Sequence, residues 1–556
     1  MNQDISLTNR SGTLGLVTTA LRRHSDMLDY FFLICILCSY VLLLPEAPHG
    51  DGVRWAQSLE SHHLDVNPNY LLLEPIALSL YLVWEGAGLP PDGTQFQKYL
   101  DVGLATLSLF LLNLCLKTLA VPTTFRRLCI VFMAFSYNFF YLATSDHIKL
   151  VTAPFLMLTT LFLVKYFYSY KTKVLLAAGL SMGLSLCTLI NALPWFGLLL
   201  LVLLLVSSGP LTQRIRVCLI FGLSATVTAL MFLGTAYAVI APGKPFLTWL
   251  TSYGANATSK EVGFGGLNWL TIGRALSAVI KNFPFTSDIG PVVKAAIFGS
   301  SPPPISKAVM FFNVLTFLGI AWILLRVWYA QISSWPHLVK AERNIVLAMA
   351  SAVSGYFLFG LIWNTSEEEF WFQITAPVVI LIAIFWQHRG HNRVDAATIV
   401  LAMCLVVTNT VVTFALPRHA YPYTRYVQEL SFALGPQDLL IHDGSEPIQG
   451  LVYGMKLKES PHAINLSTAF DKHNYDIQKT FEFIKADIQL TRKRGGRVYI
   501  FDIFALQSTS HPWSLFRERF GISKQEVISF FESQGTYRQL QVAGQPAWLM
   551  EELHIH

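Results

Sequence analysis

Apolar residues run along this chain in long blocks, separated by short polar breaks. A helix needs about 20 apolar residues to cross a hydrocarbon core. Blocks of that order stand at 28–45, 103–120, 127–143, 149–168, 174–190, 194–207, 217–240, 306–327, 345–363, 370–387 and 395–415, which predicts eleven spans. Tyr70–Trp84 is also apolar, but it is only about three-quarters of the needed length and carries Glu74 and Pro75. Counted as a span, it would turn every later loop to the other side of the membrane.

Charge decides between the two topologies. With eleven spans and the N-terminus inside, the inner loops hold Lys117, Arg126, Arg127, Lys165, Lys171, Lys173, Arg214, Arg216, Arg326, Lys340, Arg343, Arg389 and Arg393. The short outer loops hold almost no Lys or Arg, which is the positive-inside bias. Tyr70–Trp84 is therefore expected to lie in the outer interface, apolar side down. Residues 1–27 form a cytoplasmic tail, and 28–415 form the membrane domain with outer loops 46–102 and 241–305. The loop 241–305, rich in Gly, Pro, Ser and aromatics, is long enough for a lid.

After residue 416 the pattern changes. Asp438–Asp443 and Arg497–Ile503 read as buried strands. Pro447–Tyr453, Asn474–Lys493 and Ser523–Gln534 read as helices, and 537–551 as a closing hairpin. Strands alternating with helices predict a small extracytoplasmic α/β domain over 416–556. It has no glycine-rich phosphate loop. The expected fold class is thus a polytopic α-helical membrane protein with a small C-terminal α/β domain, in a plasma (inner) membrane.

Composition agrees. Of 556 residues, 53% are hydrophobic and 13% charged, about half the charge of a soluble domain. The net charge of +6 is spread over the inner loops and points to no nucleic-acid partner. The seven cysteines all lie in or beside apolar runs, as small packing residues do. The first apolar run lacks a small-residue cleavage site and reads as a retained anchor.

The ionisable residues that could carry chemistry collect on the outer face. Asp51 follows the helix-ending stretch Pro45–Gly50 and precedes the amphipathic segment Val53–His63. A carboxylate fixed at a membrane surface can take a proton from an attacking hydroxyl. It can equally cap the helix that follows. Ser145-Asp146-His147-Ile148-Lys149 fills the tightest outer turn, where such groups serve either as interface anchors or as a functional cluster. His62 and His63 are adjacent, and helical neighbours point about 100° apart, which argues against one metal ion using both. Glu367-Glu368-Glu369 reads as a solvated charge run. Three glycosylation sequons, at Asn256, Asn364 and Asn465, fall on the outer side.

The order of these pieces resembles the GT-C superfamily of polytopic glycosyltransferases, near its protein O-mannosyltransferase and aminoarabinose-transferase branch. The matching pieces are Asp51-Gly-Val-Arg-Trp-Ala, His63-Leu-Asp-Val-Asn-Pro-Asn-Tyr70, Ser145-Asp146-His147 leading into Leu150-Val-Thr-Ala-Pro-Phe-Leu, and Phe370-Trp-Phe-Gln-Ile-Thr-Ala-Pro377. The likeness covers residues 25–170 well and 345–390 weakly. It departs from the family at Gly52, where many relatives carry a second acidic residue, and at Asn67–Tyr70, where Gly-Tyr-Pro is common.

The resemblance implies sugar transfer from a polyprenyl-phosphate donor on the extracytoplasmic face. Asp51 would be the first-loop catalytic carboxylate and Asp146 the second-loop acidic residue. Arg54, His62, His63, His147, Lys149 and Arg274 are the expected substrate-binding residues, with Lys149 the leading candidate for the lipid phosphate. The acceptor is a glycan, lipid or protein. No cofactor is expected, and a divalent metal is left open. Two other classes fit the spans, a transporter or lipid flippase and a non-catalytic scaffold whose C-terminal domain binds a partner. A transporter usually shows inverted repeats and broken central helices, whereas these apolar runs look continuous.

Overall fold

The computed structural model describes residues 27–48, 50–62, 71–240, 269–283, 335–362, 368–387, 396–411, 423–442, 451–454, 462–473, 476–501, 521–542 and 545–553, with scattered positions in 243–246 and 311–329. His63, Asp65, Asn67–Tyr70, Glu367, Asn256 and Asn364 lie outside the described residues. So does most of the loop 241–305. Among the described residues, four helices are long and apolar enough to cross a membrane by length and composition: Gly93–Thr118, Lys149–Ser169, Leu211–Val239 and Lys340–Leu361. Six shorter apolar helices accompany them, at Met27–Leu42, Thr172–Thr188, Ile190–Val206, Val314–Ile323, Trp371–Gln387 and Ala396–Thr410.

The first helix, α1 (Met27–Leu42), is followed by α2 (Gly50–Glu60), α3 (Leu73–Gly86) and α4 (Gly93–Thr118). Helix α4 begins ten residues before the apolar block at 103, so the end of the segment 46–102 is helical rather than loop. The Asp92 carboxylate starts it, accepting from the backbone N–H groups of Thr94 and Gln95 at 3.0 Å. Hydropathy hides the first two turns because they carry Gln97, Lys98 and Asp101. All three are buried against protein instead of facing lipid.

The apolar block 127–143 is two helices, α5 (Thr123–Ala134) and α6 (Tyr137–Ala143). The break at Phe135-Ser136 is closed from outside the segment. Asn409 Nδ2 donates to the carbonyls of Phe135 (2.6 Å) and Phe283 (2.8 Å), and the Tyr137 N–H donates to Phe283 O at 2.8 Å. Irregular backbone within a membrane bundle is tolerated where protein satisfies it in this way. Phe283 follows a helix at Trp269–Lys281, and Ala275, Ala278 and Phe283 are buried in the main core. This part of the loop 241–305 is therefore built into the bundle, contrary to the expectation of a wholly external lid.

The remaining membrane helices are α7 (Thr152–Ser169), α8 (Thr172–Thr188), α9 (Leu193–Val206) and α10 (Leu211–Ile240), with Lys340–Ile362, Thr375–Gln387 and Ala396–Thr410 after them. Glycines set the close contacts. Gly179 and Gly183 of α8 lie directly on Phe221–Thr228 of α10, the small-residue packing of membrane helices. Gly355 lies on the backbone of Trp195, and Gly360 lies under the Trp371 ring. At the opposite end from the acidic turns, buried Asp29 of α1 pairs with Arg126, with Arg127 (3.0 Å) and with Lys117 (3.3 Å). All seven cysteines are free.

The C-terminal region holds a five-stranded sheet of order β2-β1-β3-β5-β4. Its strands are β1 (Leu439–His442), β2 (His462–Asn465), β3 (Val498–Phe501), β4 (Gly535–Val542) and β5 (Gln545–Leu553). β1 pairs in parallel with β2 and β3, and β5 pairs antiparallel with β3 and β4. Both expected strands and the closing hairpin are present; β2, ending at Asn465, was not expected. Strand side chains alternate between faces. Leu439, Ile441, Val498 and Ile500 pack on the helices Ile477–Lys493 and Lys524–Gln534. Leu440, Tyr499 and Phe501 pack on Val427, Leu430, Leu451 and Val452. Ser523 and Glu526 form a reciprocal capping box at the last helix. Asp438 ties β1 to β3 through Arg497, at 2.7 Å to its N–H and 2.8 Å to its guanidinium. Burial alone would raise the Asp438 carboxyl, but the Arg497 and Gly435 hydrogen bonds outweigh it and hold it below the usual range.

Candidate active site

Two segments that are far apart in sequence meet at one end of the bundle. Helix α2 starts at Gly50, and its first turn contains Asp51 and Gly52. Gly52 lies directly on Asp146: a Cβ at this position would fall on the Asp146 carboxyl group and 2.5 Å from its carbonyl oxygen. One turn further on, Gly93 of α4 touches Ala56, where a Cβ would sit 2.8 Å from the Ala56 Cα. Small residues on both partners let α2 lie flat on α4 and on the second acidic turn. A glycine at 52 is what this approach requires.

The turn itself is buried. Ser145, Asp146, His147 and Lys149 are each at most 4% exposed, so Lys149 is inside the site rather than at an open membrane edge. Ile148 adopts the left-handed conformation, with φ 45° and ψ 1°. A β-branched residue there is an outlier, costing about 1–3 kcal/mol, and persists only when its surroundings hold it. Asp101 supplies the hold: its Oδ2 accepts the Ile148 N–H at 3.0 Å, and the carboxylate also accepts the His147 N–H. The His147 ring lies 5.6 Å from that of Tyr141, with Nε2 3.4 Å from the Tyr141 hydroxyl.

Helix α4 reaches the other strands of the site as well. Lys98 Nζ donates to the carbonyls of Pro45 (2.8 Å), Glu46 (3.2 Å) and Ala47 (3.4 Å), pinning the chain just before α2. With its amide oxygen turned toward α2, Gln97 accepts from the Ala56 N–H (2.8 Å) and donates to the Asp146 carbonyl (2.6 Å). The C-terminal region closes one side. Tyr453 packs on Val53 and Ala56. Its hydroxyl donates to Glu60, which also accepts the Gly93 N–H at 2.8 Å, and lies 3.3 Å from Asp92. Burial first, then the Asp92 and Glu60 carboxylates, pushes the Tyr453 hydroxyl far up, so it remains a donor. A cavity of about 470 Å³ lies beside these contacts, lined by Val41, Leu44, Asp92, Lys98, Val427 and Tyr453 among others.

Comparison with solved structures follows from this geometry. The chain aligns with ArnT from Cupriavidus metallidurans in its apo state at a TM-score of 0.54 and 11% identity, covering 96% of this chain and 98% of that one. The same protein bound to undecaprenyl phosphate aligns at 0.53 and 10% identity, covering 94% and 98%. The apo oligosaccharyltransferase of Archaeoglobus fulgidus aligns at 0.50 and 12% identity, covering 93% and 74%. The chain has the GT-C fold. No protein-family model and no curated protein matches it by sequence.

On this GT-C fold the candidate residues divide into two groups. Asp51 (by its position on α2), Asp146, His147 and Lys149 gather at the junction of α2, α4 and the second acidic turn. His62 does not: it ends α2, on the order of 15 Å along the axis from Asp51, and pairs with Glu85 at 2.9 Å. Arg54 is on the exposed side of α2. Arg274 is on the helix Trp269–Lys281, with its side chain outside the described residues, as is that of Asp51. Among the described residues, no three His, Cys, Asp or Glu side chains gather as a metal site. Sequence reading missed Gln97, Lys98 and Asp101. The available signal was polar positions at i, i+1 and i+4 just before an apolar block, with Asp92 as a cap.

Proposed function

We propose that this protein is a membrane glycosyltransferase that moves a sugar from a polyprenyl-phosphate carrier to an acceptor hydroxyl on the extracytoplasmic face. The GT-C fold supports the class, and the undecaprenyl phosphate bound to ArnT supports a lipid-phosphate donor. The observation that carries the reading is the contact of Gly52 with Asp146. It brings the turn bearing Asp51 onto the second acidic residue in a buried polar site.

In this mechanism Asp51 accepts the proton of the acceptor hydroxyl. The oxygen attacks C1 of the sugar, the C1–O bond to the phosphate breaks, and polyprenyl phosphate leaves with inversion at C1. General-base assistance of this kind contributes about 10²–10⁴-fold. Lys149 and His147 stabilise the departing phosphate in a site shielded from water. Asp146 orients the acceptor. The broken span α5–α6 is the feature a transporter reading would use, but its freed backbone groups bond to Asn409 and Phe283.

The test is transfer from a polyprenyl-phosphate sugar by the purified protein in lipid nanodiscs. Asp51→Asn should lower turnover at least about 100-fold while leaving the elution profile and Tm unchanged. Near-normal turnover in that variant would overturn the assignment of the base.

A further inference from the structure

The geometry points to Gln97 and Asp101 as positioning residues of the second acidic turn, acting on the reaction through Asp146. This rests on the glycosyltransferase reading above. The two residues are one helical turn apart on α4, so they share a face. Both are fully buried at 0% exposure. Each holds backbone rather than another charge. Gln97 bridges the Ala56 N–H of α2 and the Asp146 carbonyl. Asp101 accepts the two consecutive N–H groups of His147 and Ile148. Together they grip Asp146 from both sides, at its own carbonyl and at the two amides that follow it.

Two features say that this grip sets geometry and does more than pack a helix. Ile148 stands in the left-handed region, which an isoleucine adopts only under constraint, and Asp101 bonds to the amide of that residue. Asp101 also has its second oxygen, Oδ1, buried without a hydrogen-bond partner among the described residues. A carboxylate kept in such a place despite the desolvation it suffers is retained for what its other oxygen does. Its partners there are N–H donors, so what the position requires is an oxygen that accepts. Asparagine can present its amide oxygen to the same donors and keep the grip, whereas leucine keeps about the same volume and removes it.

Asp101→Leu should therefore misplace Asp146, and Asp101→Asn should restore its position. A misplacement of about 1 Å costs on the order of 10²-fold in a positioned reaction. The expected result is a kcat lowered about 10- to 100-fold, with the donor KM within about threefold of wild type. Because the effect runs through Asp146, the double variant Asp101→Leu/Asp146→Asn should be no slower than Asp146→Asn alone, a non-additivity that a purely structural role would not give. Gln97→Leu, read in the same cycle, should behave likewise and serves if Asp101→Leu does not yield monodisperse protein. Amide exchange of the peptide spanning 145–151 should be faster in either variant, a readout that needs no substrate. Additive losses in the cycle, unchanged kcat, or a loss confined to KM would overturn the positioning role. Full activity in Asp51→Asn and Asp146→Asn would instead overturn the underlying reading and leave the amide-exchange result standing.

Discussion

Gly52 shows how much one missing methyl can decide. It lies on Asp146 with no room for a Cβ, so Gly52→Ala has to push α2 away from the acidic turn. Overpacking of this kind costs about 1–3 kcal/mol, and the displaced helix carries Asp51. The expected outcome is a folded variant, monodisperse in nanodiscs, with turnover reduced at least about tenfold, read in the same transfer assay. Gly103, with nothing within 4 Å of a built Cβ, should accept alanine without loss and serves as the control. At this scale the chain is partly readable. Asp51, Asp146, His147 and Lys149 are visible because charge at the edge of an apolar block stands out. Gln97 and Asp101 are not, because they sit inside the helix they help to organise, and hydropathy scores them as loop. That Gly52 is a spacer rather than a lost acid becomes apparent only when Asp146 is seen against it.

Among the elements, helices that are long, apolar and unbroken were legible, and irregular ones were not. The block 127–143 has an unbroken apolar pattern, yet it splits at Phe135-Ser136. The partners that close the split, Asn409 and Phe283, lie more than a hundred residues away along the chain, and no local pattern announces them. Asn409→Leu should remove both amide bonds and leave the buried Phe135 carbonyl short of a donor, at about 1–3 kcal/mol, while the Phe283 carbonyl keeps the Tyr137 N–H. A fall in Tm of the purified protein, with earlier loss of monodispersity on heating, is the expected reading. An unchanged Tm would mean that the break is held by packing alone. The parallel strands β1 and β3 were legible for the opposite reason. Buried on both faces, they appear as short apolar runs between turn residues. β2, with exposed and half-buried positions, gives no such signal.

For the molecule as a whole, the junction between the sheet-bearing region and the bundle falls on the candidate site. Tyr453 reaches from the helical segment after β1 to α2 and joins Glu60, which also receives the first N–H of α4. Tyr453→Phe keeps the packing on Val53 and Ala56 but removes a hydrogen bond to a carboxylate, worth about 1.5–3 kcal/mol. Faster amide exchange in α2, with the rest of the bundle unchanged, is the expected result. Equal exchange in both proteins would show that the hydroxyl does not stabilise the junction. The general architecture, an apolar bundle followed by a small mixed sheet, was written in the alternation of blocks. Where the two meet was not, since a tyrosine at the end of a short helix looks like any other.

That hydroxyl also has a place in time. Chains are made from the N-terminus at about 5–20 residues per second, and roughly 300 residues separate the acidic turn from Tyr453. For some 15–60 seconds the nascent bundle holds α2 and α4 with Glu60 and Asp92 still lacking their phenolic partner. A ribosome that stops short of residue 453 leaves behind a bundle with both acidic segments and no latch across them. The wall of the site is thus completed well after both acidic segments are made, and products truncated before residue 453 are born with that wall open.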